Sequence, residues 1–206
     1  MNIETIVVGA FEVNCFVIWG ESKEAIIIDP GCDAEVILDF LQARQLTVAS
    51  YMLTHGHMDH ISALAPLHDA CPAPIGLHSK DITWAFTESN QMPPYGIPRK
   101  PSEISRVLAE GQVWQDGGLT YKVIESPGHT PGGVCFLFPT ESVLITGDTL
   151  FAGSVGRTDF PGGDSRVLKA SLKRLAALDD PLKVYPGHGP TTTIGYEKKT
   201  NYFMQG

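Results

Sequence analysis

Thr54-His55-Gly56-His57-Met58-Asp59-His60 is the stretch that decides how this chain reads. Three of the seven histidines in the chain fall within it, together with an aspartate. It follows an apolar run (Val48, Tyr51, Met52, Leu53) that reads as a buried strand. Neutral imidazole and carboxylate are good ligands for zinc, iron or manganese. His55 and His57, two positions apart, converge on one ion only where the backbone curls at a strand end, and Gly56 between them permits that curl. Asp59 and His60 come off the next turn, within reach of a second ion. The plain alternative is a histidine-rich surface turn, and the concentration of histidines in one place argues against it.

Upstream of this stretch, Ile3 to Val8, Val13 to Trp19 and Ala25 to Ile28 read as short strands rich in β-branched and aromatic residues. Asp29-Pro30-Gly31 ends the third. Asp33 is the expected N-cap of a helix with Val36, Ile37, Phe40 and Leu41 on one face. Downstream, Ile61, Leu64, Ala65 and His68 keep helical spacing, which places His68 away from the cluster as a packing or surface residue. Ile75 to His78 reads as a strand and Lys80 to Thr87 as a short helix, with nothing near His78 to complete a site. Asn90 to Ser102 contains four prolines and reads as an ordered surface connection, with a lid over a pocket as the other reading. Val113-Trp114, Leu119 to Ile124, Val134 to Phe138 and Val143 to Thr146 resume the strand pattern. Asp164 to Ala177 is the last long helix, with Val167, Leu168, Ser171, Leu172 and Leu175 inward and Arg166, Lys169 and Lys173 on a solvated face. Lys183 to Tyr185 is the final strand. Strands and helices thus come in two similar batches, and the expectation is one α/β domain over residues 1–206.

The 206 residues suffice for a sizeable core, and the charge content is that of a globular protein. A net charge of −8 argues against nucleic acid as a partner. Cys15, Cys32, Cys71 and Cys135 are widely spaced, so neither a disulfide framework nor a thiolate metal site is suggested. There is no basic amino-terminal region with an apolar stretch, and no aliphatic run is long enough for a bilayer. A cytoplasmic protein without a membrane partner is expected, as a monomer or weak homo-oligomer.

Three later features repeat one pattern, a glycine-flanked ligand side chain leaving a strand: Gly128-His129-Thr130, Gly147-Asp148-Thr149 and Gly187-His188-Gly189. With the first cluster they supply seven candidate ligands, enough for two ions. One shared carboxylate is a common way to hold two metals ~3.5–4 Å apart, and Asp148 is the isolated carboxylate among the later features.

This ordered set resembles the metallo-β-lactamase superfamily, whose signature T-H-x-H-x-D-H stands unbroken at Thr54–His60. The resemblance covers nearly the whole chain and implies a four-layer αβ/βα sandwich with the metals at one edge. It implies a first metal on His55, His57 and His129, and a second on Asp59, His60 and His188, with Asp148 bridging. Zinc is the first expectation for the two divalent ions, with iron and manganese also suited. The chemistry implied is a hydroxide formed at pH 7, attack on a carbonyl carbon, and departure of a thiolate. Asp59 is the candidate catalytic group, orienting that hydroxide besides binding metal.

Within the superfamily the sequence is similar to the glyoxalase II family, which hydrolyses S-D-lactoylglutathione to D-lactate and glutathione. The supporting residues are Gly147-Asp148-Thr149-Leu150-Phe151 and Gly156-Arg157. The resemblance makes Arg157 a contact for the glutathione thioester, and a structural salt bridge is the competing role for it. The chain has Thr158-Asp159-Phe160 where the long family form has aromatic residues. It reads as lacking the helical C-terminal extension, like the short, type I bacterial form. A mononuclear-iron persulfide dioxygenase shares Gly156-Arg157-Thr158-Asp159-Phe160 and is the main rival, and a non-catalytic metal-binding protein is the other.

Overall fold

The computed structural model describes residues 1–205. Strands β1 (Asn2–Val8), β2 (Val13–Trp19) and β3 (Glu24–Ile28) form an antiparallel meander. Helix α1 (Ala34–Arg44) crosses over to β4 (Thr47–Met52), which lies parallel to β3. Short helices α2 (Met58–Ile61) and α3 (Leu64–Ala70) lead to β5 (Ile75–His78), and α4 (Ser79–Ile82) precedes β6 (Arg106–Leu108). These strands make a six-stranded sheet in the order β1-β2-β3-β4-β5-β6.

The second batch opens with β7 (Val113–Asp116), β8 (Leu119–Glu125), β9 (Val134–Phe138) and β10 (Val143–Gly147), all antiparallel neighbours. A small hairpin of β11 (Leu150–Phe151) and β12 (Ser154–Val155) follows. Helix α5 (Ser165–Leu175) then crosses to β13 (Lys183–Pro186), parallel to β10. Strand β14 (Thr192–Thr193) and helix α6 (Ile194–Thr200) end the regular structure, apart from one 3₁₀ turn at Tyr202–Met204. The second sheet is ordered β14-β13-β10-β9-β8-β7.

Side-chain alternation explains how the sheets stack. In β2, Val13, Cys15, Val17 and Trp19 face a core shared with Ile37 and Leu41 of α1 and Leu64 and Leu67 of α3. Phe16 and Ile18 face the other way, into a core shared with Tyr121, Val123, Phe136 and Ile145 of the second sheet. On the far face of that sheet Cys135, Leu144 and Val184 pack against Leu168, Leu172 and Leu175 of α5. The layers run helix, sheet, sheet, helix, the expected αβ/βα sandwich. A strand buried on both faces has no polar side to show, which is why β2 reads as an apolar run broken only by Asn14. Among the described residues no helix is long and apolar enough to cross a membrane.

Several local expectations need correction. Asp33 precedes α1 but does not cap it with its side chain; its backbone is left-handed (φ 53°), and its carboxylate accepts from the Gly9 N–H at 2.7 Å. Val36 and Val167 point to solvent, 53% and 39% exposed, because each lies at the rim of its helix's apolar stripe. The helix expected over Lys80 to Thr87 is regular only at Ser79–Ile82, and turns take the rest. The strands β6, β11, β12 and β14 and helix α6 were not expected at all. The Asn90–Ser102 connection holds no regular element beyond a bridge between Met92 and Tyr95, and Tyr95 packs on Phe11 at 5.1 Å.

Candidate metal centre

All seven expected ligand side chains meet at one edge of the sandwich, carried there by the carboxyl ends of four strands. β4 delivers His55 and His57, and α2 turns Asp59 and His60 back over the same spot. His129 stands on the loop after β8, Asp148 follows β10, and His188 follows β13. The side chains fall into two sets. Ligand atoms of His55, His57 and His129 lie within 4.8 Å of one another, and so do those of Asp59, His60 and His188. The Asp148 carboxylate lies between the sets, with Oδ1 3.4 Å from His60 Nε2 and Oδ2 3.5 Å from both His129 Nε2 and His188 Nε2. His68 and His78 stand outside: one ring packs on Tyr51 at 6.3 Å, and the other pairs its Nε2 with Glu125 at 3.2 Å.

The hydrogen bonds around the cluster fix which nitrogen of each ring faces inward. His60 Nδ1 donates to Asp29 Oδ2 (3.1 Å), and His55 Nδ1 donates to Thr54 Oγ1 (3.0 Å), which itself donates to Asp29 (2.6 Å). His129 Nδ1 donates to the Arg157 carbonyl (2.7 Å), and His188 Nδ1 donates to the Phe11 carbonyl (2.9 Å). Four imidazoles therefore turn Nε2 to the centre, each oriented from behind. His57 instead turns Nδ1 inward, 2.9 Å from His129 Nε2.

Those inward atoms test whether the site suits a cation. His55 Nε2, His60 Nε2 and Asp148 Oδ1 are buried and have no hydrogen-bond partner in the protein. Groups in that state are costly unless something charged satisfies them. Burial, followed by neighbouring imidazoles, keeps His55 neutral and pushes His57 down to about 3, so their lone pairs are free. Burial also acts against charge on His60, but Asp148, Asp59 and Asp29 carry it up to about 10. Burial would raise Asp148, yet the surrounding imidazoles hold it well below the usual carboxylate range. Lone pairs and carboxylates that together demand positive charge fit a pair of divalent metal ions. A Cβ at position 187 would sit 2.2 Å from Asp148 Oδ1, so Gly187 leaves the room that this carboxylate occupies.

Three supporting residues escaped the sequence. Asp29, fully buried and left-handed at φ 52°, accepts from the Thr54 N–H, the Thr54 hydroxyl and His60. Its own oxygens are spent on these donors, which makes it an orienting group although it lies near His55 and His60. The available signal was an acid closing a fully apolar strand. Asp81 accepts from the Gly56 N–H, the Thr130 hydroxyl and the Gly132 N–H, tying the two histidine loops together. Asn90 accepts from the Met58 N–H and donates to the Gly56 and Ala85 carbonyls. Gly56 is not in the left-handed region. It serves for space, since a Cβ there would press on Ala85 and Asp81 at 3.0 and 3.2 Å.

A cavity of about 470 Å³ opens on the ligands and is walled by Phe11, Met92, Phe151, Val155, Arg157 and Phe160. Arg157 lies over the Phe160 ring (4.0 Å to its centre) and grips Asp159 with two hydrogen bonds of 2.6 Å. The structural salt bridge weighed for Arg157 is therefore present, and an incoming carboxylate would compete with Asp159.

The metallo-beta-lactamase superfamily model matches residues 8–188. The chain belongs to that superfamily. The superfamily member "Hydroxyacylglutathione hydrolase GloC" of Haemophilus influenzae is 38% identical over 208 residues, covering 99% of this chain and 98% of the other. Among solved metallo-β-lactamase folds, a B3 metallo-beta-lactamase, BLEG-1, superposes with a TM-score of 0.92 at 36% identity, each chain covered completely. TTHA1623, solved in a di-iron-bound form, superposes with a TM-score of 0.87 at 38% identity, over 97% of this chain and 99% of that one. Fold, donor set and family together make this chain a metallo-hydrolase of the superfamily, with a site suited to two metal ions.

Proposed function

We propose that the chain is a hydroxyacylglutathione hydrolase that cleaves S-D-lactoylglutathione to D-lactate and glutathione. The observation that carries this reading is the pair of ligand sets facing one carboxylate beneath an open cavity. The full-length likeness to a hydroxyacylglutathione hydrolase supports the choice of substrate. His55, His57 and His129 would hold one ion and Asp59, His60 and His188 the other, with Asp148 shared. Zinc is our first assignment for an imidazole and carboxylate donor set, and iron fits the same atoms. When bound, such a pair supplies a water acidified to near-neutral pKa and positive charge for a developing oxyanion.

The chain's own residues supply the rest. Asp59, on the first turn of α2, accepts a hydrogen bond from the attacking water and turns its lone pair toward the thioester carbon. A C–O bond forms, the C–S bond breaks, the electron pair leaves on sulfur, and the protons of the water pass to solvent as the acid departs as carboxylate. A thiol of pKa ~8.5 departs as thiolate without a strong proton donor. Phe11, Phe151 and Phe160 keep bulk water from the reacting carbon. Arg157 receives a glutathione carboxylate by giving up Asp159, an exchange between exposed groups worth little either way.

Metal analysis together with a thioesterase assay tests the reading. Two equivalents of metal per chain, activity lost on chelation and restored by metal, and turnover largely lost in Asp148→Asn are expected. A single iron with oxygen uptake on glutathione persulfide would replace this reading by the dioxygenase one. The B3 metallo-beta-lactamase likeness supports a second reading, opening of a cyclic amide at the same site. Hydrolysis of a chromogenic cephalosporin faster than of the thioester would favour it.

A further inference from the structure

Beside the metal-centre cavity lies a second one of about 380 Å³. The two share His57, Met58, Met92 and Phe160, so they adjoin along these side chains. The second cavity runs on between Trp84, Pro131 and Pro161. The Trp84 and Phe160 rings stand 5.4 and 5.7 Å from the His57 imidazole, so this space begins at a candidate ligand. No lysine, arginine, aspartate or glutamate lines it. Three uncharged polar residues are in its wall: Asn90 is committed to the Met58 N–H and to the Gly56 and Ala85 carbonyls, the Ser89 hydroxyl pairs with that of Thr87, and Gln91 is exposed to solvent. Walls of this kind favour an apolar group and penalise a charged or strongly polar one. A three-carbon hydroxyacyl group would leave most of the space to water.

We infer that the preferred substrates are thioesters whose acyl group is apolar and larger than lactoyl, a medium-length aliphatic or an arylacetic acid, seated between Trp84, Met92 and Phe160. This rests on the thioesterase reading and adds the chemical class of the acyl group. Arg157 lines the metal-centre cavity and not the apolar one. The charged carrier would thus be held on the Arg157 side of Phe160 and the acyl chain on its Trp84 side. The reaction is unchanged: water adds to the acyl carbon, the C–S bond breaks, the acid leaves as carboxylate and the sulfur as thiolate, and the two protons of the water pass to solvent, from which the thiolate is reprotonated below its pKa.

The test is a series of acylglutathiones (D-lactoyl, acetyl, butanoyl, hexanoyl, phenylacetyl) with the metal-loaded full chain. kcat/KM should rise roughly fourfold per added methylene until the cavity is filled. Calorimetry with non-hydrolysable thioethers should show S-hexylglutathione binding more tightly than S-methylglutathione by a similar increment. Trp84→Ala should flatten both trends. A flat or falling series in the unmodified protein, in either measurement, overturns the inference. The same acyl chains on N-acetylcysteamine separate the two ideas. If those thioesters show the rise while no glutathione thioester is cleaved, the apolar acyl site stands and the glutathione reading fails. If D-lactoylglutathione is cleaved fast and longer chains are rejected, the acyl site fails and the glutathione reading stands.

Discussion

Asp29 governs the metal centre without belonging to its ligand sets. It fixes the His60 ring directly and the His55 ring through Thr54. In Asp29→Asn an amide N–H can face the His60 Nδ1–H, and the ring loses its orientation. Metal affinity should fall about 10- to 100-fold, as removal of such partners does elsewhere, read by competition with a chromogenic chelator. At the cavity rim, Arg157→Ala should raise KM for a glutathione thioester far more than for a small thioester. Asp159→Ala should lower it by freeing the guanidinium, and equal effects on both substrates would refute the contact. The seven side chains that meet at the edge were legible because their chemistry lies in residue type, in the tight spacing of His55 to His60 and in the glycine-flanked turns around His129, Asp148 and His188. Asp29 and Asp81 were not, because they find their partners 31 and 51 residues away, which no local pattern encodes. Arg157 shows a further limit: a substrate contact and a salt bridge were both open to it in the sequence, and only the fold reveals that Asp159 already holds it.

The His129 loop depends on helix α5 behind it. Gly128 has φ +133°, and a Cβ there would lie 2.3 Å from the Leu168 backbone. The Asp164 N–H donates to the Gly128 carbonyl at 2.8 Å, so the start of α5 and this loop are one unit. Gly128→Ala must either strain the loop or push α5 outward, and should cost about 3 kcal/mol together with metal binding. Asp164 caps α5 through the Arg166 and Val167 N–H groups. Asp164→Ala should cost about 1 kcal/mol, seen as a lower denaturant midpoint with an unchanged m-value. The long elements could be read because apolar character persists over many residues, as a run in β2 and as a helical stripe in α5. The two-residue strands β11, β12 and β14 lack the length for any period to show. Asp33 misled for a related reason: the residue type suits a cap, but a left-handed backbone turned its carboxylate to Gly9.

Across the whole molecule, a polar network joins the two sheets. Asp116 of β7 accepts from Arg106 of β6 at 2.6 and 2.9 Å, from the Tyr121 hydroxyl at 2.5 Å and from Ser50 of β4 at 3.0 Å. Burial acts to raise the Asp116 pKa, but Arg106, Tyr121 and Ser50 outweigh it and leave it below the ordinary carboxylate value. The unfolded chain therefore takes up this proton first as pH falls. The stabilisation is complete above about pH 4 and declines below it as the folded group protonates. Asp116→Asn should cost about 3 kcal/mol near neutrality by leaving Arg106 uncompensated. The gap to the unmodified protein should narrow from about pH 4 downward, as followed by urea denaturation at several pH values. The four-layer order was legible from two batches of alternating strands and helices, whereas this clasp joins residues whose separate positions in sequence carry no sign of one another. At the metal-centre edge, His188 takes its orientation from the Phe11 carbonyl, 177 residues earlier, and the Asn14 side chain holds the Pro186 and Gly189 carbonyls. The first three-histidine nest is thus complete only once Arg157 and the start of α5 stand behind His129, and the second only once the loop after β13 meets the first hairpin. Uptake of the second ion then reports that the two ends of the fold have found each other.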